Sequence, residues 1–238
     1  MTTFRLLKQF NEPDRARSVD RRKRIGPPDA AAFPGDGLAD KLARALCEHR
    51  ATRFRELVEA FEFFALARKF ARAPAVVDLC GGHGLVAALF VVFEPEVERA
   101  LVIDKRRTQD FDLVLAATAE VAPWTRGRVT FAESRIENAR SQLPERAGYV
   151  AVHACGRRTD TALDLAIADR APIAAMPCCH AVGASVAPAA LKQQFGDAAV
   201  DIERTYRLER EGYAVRWDHV SPLITRKNRV LLGRPKPR

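Results

Sequence analysis

From Ala75 onward, short β-branched runs alternate with helical stretches, and this alternation limits the possible folds more than any other feature of the chain. The runs are "AVVDL" (75–79), "RALVID" (99–104), "GRVTFAE" (127–133), "GYVAVHA" (148–154) and "APIAAMP" (171–177). Each is short and nearly all apolar, as expected of strands buried on both faces. Helical periodicity separates most of them, so the pattern implies βαβ units and a mostly parallel sheet covered on both sides. "YAVRWDHV" (213–220) and "NRVLLG" (228–233) follow without a full helix between them, which implies an antiparallel end. There is no internal repeat and no sign of a second domain.

Before this unit, "LADKLARALCEHR" and "RFRELVEAFEFFALARKFA" carry helical periodicity. Leu57, Phe61, Phe64 and Leu66 form an apolar stripe that reads as core. Residues 1–36, with proline, glycine and basic clusters, read as a flexible arm with a short ordered start at Phe4–Phe10. The expected division is therefore an arm (1–36) and one domain (37–238). Within that domain lie N-terminal helices (37–73), an α/β core (74–233) and a basic tail (234–238). Hydrophobic content of 47% beside 29% charged residues suits a soluble globular protein. There is neither a membrane-length apolar run nor a secretory leader, so the expected location is cytoplasmic. Five cysteines, an odd number placed mostly by strand ends, suit reduced thiols.

The stretch "VVDLCGGHGLVAALF" (76–90) localises a ligand site. A glycine-rich turn between the first strand and its helix lets a ligand lie against bare backbone at the carboxyl edge of the sheet. Read as G-x-G-x-x-A from Gly82, with Asp104 as a ribose acid, the turn also fits a dinucleotide fingerprint. Asp78 argues against this, because a carboxylate at the strand end repels a pyrophosphate. It suits the cationic amino-acid end of S-adenosyl-L-methionine (SAM). "DLCGGHG" resembles the D/E-x-x-x-G-x-G motif of class I SAM-dependent methyltransferases, and "LVID" resembles their second motif. The resemblance implies a Rossmann-like class I methyltransferase fold with a seven-stranded sheet and an antiparallel last strand. It also implies a cofactor site of Asp78, Cys80, Gly81, Gly82, His83, Gly84, Asp104 and Lys105. Glu133 or Ser134 would lie near the adenine, His153 would complete the set, and S-adenosyl-L-homocysteine would be the product.

"HACGRRTDTALDLAI" and "MPCCH" resemble one subfamily, which includes the acceptor-stem tRNA 2′-O-methyltransferases. Its pattern is His-x-Cys-Gly, Thr-Asp, then a Cys-Cys pair near a His. The Cys/His zinc modules of those tRNA enzymes are not visible at this N-terminus. The resemblance implies RNA methylation, with 2′-O transfer its leading form; RNA cytosine-5, small-molecule and protein acceptors stay open. An NAD(P)-dependent oxidoreductase and a non-catalytic RNA-binding module are the readings from other classes. His153, Asp160 and His180 are the candidate bases, and Cys178 or Cys179 a candidate nucleophile or mere packing. No C-x₂-C spacing is present and adjacent cysteines seldom share one ion, so no metal is expected. Of the formal net charge of +9, residues 1–28 hold +5 and residues 226–238 hold +6, which leaves the body near −2. The basic segments 15–24 and 226–238 are accordingly the expected RNA contacts.

Overall fold

The computed structural model describes residues 3–237. Its elements follow the sequence pattern closely. A single-turn α1 (Pro13–Ala16) precedes α2 (Leu38–Glu48) and α3 (Phe54–Ala71). Then come β1 (Ala75–Leu79), α4 (Leu85–Phe93), β2 (Arg99–Asp104), α5 (Gln109–Val121), β3 (Val129–Glu133) and β4 (Ala147–Val152). α6 (Arg157–Asp169), β5 (Ile173–Met176), α7 (Ala189–Phe195), α8 (Asp197–Arg210), β6 (Tyr213–His219) and β7 (Arg229–Pro235) complete the chain. The seven strands form one sheet in the order β3-β2-β1-β4-β5-β7-β6. β1 to β5 pair in parallel, and β7 runs antiparallel to both β5 and β6.

The strand alternation decides which layer covers which face. Val76, Val102, Val150 and Ala174 point to a core shared with α2, α3, α4 and α5. Val77, Ile103, Tyr149 and Ile173 point to a second core under α6 and α8. Every residue of α4 but Phe93 is buried, because it lies at the centre of the first layer. Asp78 shares its face with Val76, so the pleat drives its carboxylate under α3 and α4 rather than into water. β3 is followed not by an α-helix but by two 3₁₀ turns, Ile136–Asn138 and Arg140–Gln142. No helix among the described residues is long and apolar enough to cross a membrane.

The N-terminal segment is not the flexible arm expected from its composition. Phe4, Leu7, Phe10, Val19, Ile25 and Phe33 are all buried in the first core. Phe10 packs edge-on against Phe33 and Phe54. The buried carboxylate of Glu62 in α3 accepts the backbone N–H groups of Arg5, Leu6 and Leu7 at 2.7–3.1 Å. β7 extends into the C-terminal basic tail and takes in Arg234 and Pro235. Many cations of the two expected arms hold the fold together. Arg21 and Lys23 pair with buried Asp29, Arg24 with Asp110, Lys227 with Asp197, and Arg229 with Asp201. Arg238 lies outside the described residues.

Candidate active site

The site is built at the carboxyl ends of β1, β2 and β4, where the parallel strands turn outward. The turn after β1 carries three consecutive demands on its backbone. A Cβ on Gly81 would meet Asp78 Cγ at 2.6 Å, so only glycine allows the carboxylate to lie there. Gly82 has φ +54° with nothing within 4 Å of an added Cβ, so its backbone borders open space. Gly84 caps α4 in the left-handed conformation. Cys80 (φ 61°) and His153 (φ 60°), which follow β1 and β4, hold the same strained conformation without being glycine. Asp104 ties the turn to β2, accepting the N–H of Gly82 at 3.0 Å and of Lys105 at 2.7 Å.

Two cavities meet at Cys80 and His153. One, of about 210 Å³, is lined by Glu56, Glu59, Asp78, Gly81, Gly82 and His83 among others. The second, of about 330 Å³, is lined by Asp104, Lys105, Ser134, Arg135, Glu137 and Arg158. A larger cavity of about 690 Å³ opens at the opposite edge of the sheet, beside the starts of β4 and β5, away from these groups.

The first cavity is rich in uncompensated acid. Asp78 is 1% exposed, and neither carboxylate oxygen has a hydrogen-bond partner. Burial pushes its pKa up to about 7; the Ala87 amide, too poorly placed for a full hydrogen bond, works against this, and the Asp104 charge adds to it. Glu59 is buried as well, with Oε2 2.9 Å from His153 Nε2 and Oε1 without a partner. Burial pulls the His153 pKa down, but its hydrogen bond to Glu59 and that carboxylate's charge outweigh burial and hold it above the ordinary value. His83 goes the other way: burial lowers it, only partly opposed by Glu56. Its Nδ1 accepts the Leu85 N–H at 3.2 Å.

The strand order, the single antiparallel insertion of β7 and a glycine turn facing an acid on β2 define a Rossmann-like class I methyltransferase. The chain belongs to the methyltransferase-domain family, whose model matches residues 48–184. No curated protein matches it. A protein from Corynebacterium glutamicum is similar over 89% of this chain and 95% of its own length, at 13% identity and a TM-score of 0.50. A putative rRNA methylase from Clostridium thermocellum aligns over 72% of this chain and 92% of its own, with 13% identity and a TM-score of 0.46. The methyltransferase domain of bacterial CtHen1-C aligns over 75% and 97%, with 12% identity and a TM-score of 0.46. At such identities the first likeness speaks for the fold and not for a substrate.

The residues present fit the family's cofactor. Three buried carboxylate oxygens without donors, on Asp78 and Glu59, call for a cation. SAM carries two positive centres, its ammonium and its sulfonium, whereas the pyrophosphate of a dinucleotide would meet only repulsion there.

Other sequence candidates fall elsewhere. Ser134 lines the second cavity, while Glu133 is exposed and accepts the Arg107 N–H at 2.8 Å. Asp160 and His180 are not available as bases, a correction to the sequence reading. Asp160 receives two hydrogen bonds from the fully buried Arg204, at 2.8 and 3.1 Å. The His180 side chain is only 2% exposed, so no acceptor reaches it, and its Nε2 lies 2.7 Å from buried Asp201, which also pairs with Arg204 and Arg229. Both residues belong to a structural ion network between α6, α8 and β7. Cys178 lies 2.8 Å from Cys155, sulfur to sulfur, and 3.7 Å from Cys179. Burial and the two neighbouring thiols push the Cys178 pKa up, the opposite of what a nucleophilic thiolate needs.

The acids Glu56 and Glu59, one turn apart on α3, have no counterpart among the residues singled out in the sequence. The signal was present, as Glu56, Glu59 and Glu62 interrupt an otherwise phenylalanine-rich helix. Nothing local says which strand ends α3 crosses.

Proposed function

We propose that this methyltransferase acts on RNA, with a ribose 2′-hydroxyl as acceptor and tRNA the first substrate to test. The observation that carries this reading is a set of exposed cations at the cleft: Lys105 after β2, Arg135 after β3 and Arg158 after β4 line its second cavity, and Arg106, Arg107 and Arg157 are exposed next to them in sequence. Among the described residues only Arg107 of these is ion-paired, with Asp112. They sit in the body that the charge count made look neutral, and they would take backbone phosphates more readily than the paired cations of the termini.

Bound SAM supplies the electrophilic methyl group, and the chain must align the acceptor and accept its proton. Glu59 takes a hydrogen bond from His153 Nε2, which leaves Nδ1 with a free lone pair for a hydroxyl proton. Asp78 and Glu59 would hold the cationic end of the cofactor, and Asp104 its ribose. The raised thiol of Cys178 and its close contact with Cys155 weigh against cytosine-5 chemistry.

The test is transfer of labelled methyl from SAM to RNA, followed by alkaline hydrolysis. Label in alkali-resistant dinucleotides, lost in His153→Ala, is the expected result. Label confined to bases, or none in RNA while a small molecule or protein is labelled, would refute the proposal.

A further inference from the structure

Three cysteines that this chemistry leaves unused converge beside the cleft. Cys155 follows β4, Cys178 and Cys179 follow β5, and their sulfurs all lie within 4.8 Å of one another. The backbone builds this convergence. Val152 and Met176 are in register at the strand ends. Beyond them, His153 N–H donates to Met176 O at 3.2 Å and Gly156 N–H to Cys179 O at 3.1 Å, so the two loops run side by side. Gly156, at φ +65°, turns the first loop back into α6.

We infer that Cys155, Cys178 and Cys179 bind one thiophilic divalent cation, zinc, as thiolates, with the fourth coordination position open to solvent beside exposed Cys179. With Zn–S bonds of ~2.3 Å, two sulfurs on a tetrahedral ion stand about 3.8 Å apart. The 3.7 Å between Cys178 and Cys179 already meets that spacing. The 2.8 Å between Cys155 and Cys178 widens by about 1 Å through side-chain rotation, which the partly exposed loops allow. Binding forms three S–Zn bonds, and the three thiol protons leave to buffer. His180, although next in sequence, is not among the groups whose ligand atoms converge within 4.8 Å. Cys155 stands two residues beyond His153, so the ion would clip the loop after β5 to the flank of the cleft. This site does not depend on the identity of the methyl acceptor.

The experiment is titration of the reduced, metal-free chain with Co²⁺ as a spectroscopic stand-in for zinc. One equivalent should produce thiolate-to-cobalt charge-transfer and tetrahedral ligand-field absorption, both abolished by added Zn²⁺. Cys178→Ser should weaken cobalt binding at least about tenfold. Cys179→Ser, at an exposed position, should do the same even if Cys178→Ser fails to fold. Absence of a charge-transfer band in the reduced wild type would overturn the inference, as would a band unchanged in both variants. A reduced protein that takes up no cobalt but forms a Cys155–Cys178 disulfide with hydrogen peroxide would also overturn it, making the pair a redox device instead.

Discussion

Asp78→Asn replaces a buried carboxylate that has no partner by a neutral group of nearly the same shape. In the folded chain the Asp78 pKa stands near 7, against 3.8 as its ordinary value, because burial penalises the charged form. The folded state therefore holds a proton on Asp78 that the unfolded chain releases above pH 3.8. Between those two values folding stability falls with rising pH, by about 1.4 kcal/mol per unit. A shift of roughly three units amounts to about 4 kcal/mol, lost progressively from pH ~4 and fully lost above pH ~7. The asparagine amide carries its own unpaired cost, but that cost does not change with pH. Urea unfolding of the ligand-free wild type and variant from pH 4 to 8 isolates the effect. The wild type should lose stability relative to Asp78→Asn across this window and then run parallel to it. S-adenosyl-L-homocysteine, whose ammonium neutralises the carboxylate, should restore the wild type at pH 8 and do little for the variant. Parallel profiles throughout would refute the claim that Asp78 is an uncompensated buried acid awaiting a cation.

Glu59→Gln removes the group that raises the His153 pKa. The acid limb of the rate profile, where His153 must lose its proton to act, should move to lower pH, and an unmoved limb would exclude His153 as the base. Asp160→Asn should cost about 3 kcal/mol of stability, read by urea unfolding, because Arg204 is left underpaired in a buried site. Its affinity for S-adenosyl-L-homocysteine should stay within twofold of the wild type, whereas loss of binding in a folded variant would return Asp160 to the site. Arg135→Glu together with Arg158→Glu should weaken RNA binding and flatten its salt dependence by about 1.4 in log–log slope, near 0.7 per lost phosphate contact. An unchanged slope would move the RNA off these cations.

The α/β core was legible because each of its elements is local. α4 follows the glycine turn as the pattern indicates, and that turn with Asp78 and Asp104 marks its own place at the sheet edge. Long-range contacts were not legible. Phe4, Leu7, Phe10, Val19, Ile25 and Phe33 follow no helical or strand period, so nothing in residues 3–36 announced that Glu62 and Phe54 would order them. The charge count misled for a related reason. It recorded the cations of the termini without the acids they meet in space, and it averaged the cleft arginines with acids used elsewhere in the body. Asp160 and His180 have the residue types of a catalytic pair. Only the position of Arg204, more than forty residues beyond Asp160, reveals that they hold α6, α8 and β7 together. Glu59 was hidden in a helix whose phenylalanines read as core, and it lines the cleft only because α3 crosses the ends of β1 and β4.

Calorimetric titration of the purified chain with S-adenosyl-L-homocysteine, alongside NAD and with Asp104→Ala as control, tests the central claim most directly. One equivalent of S-adenosyl-L-homocysteine should bind, NAD should give no heat, and binding should be lost in the folded Asp104→Ala variant. Heat from NAD, or S-adenosyl-L-homocysteine binding that survives in Asp104→Ala, would contradict the assignment of the cleft.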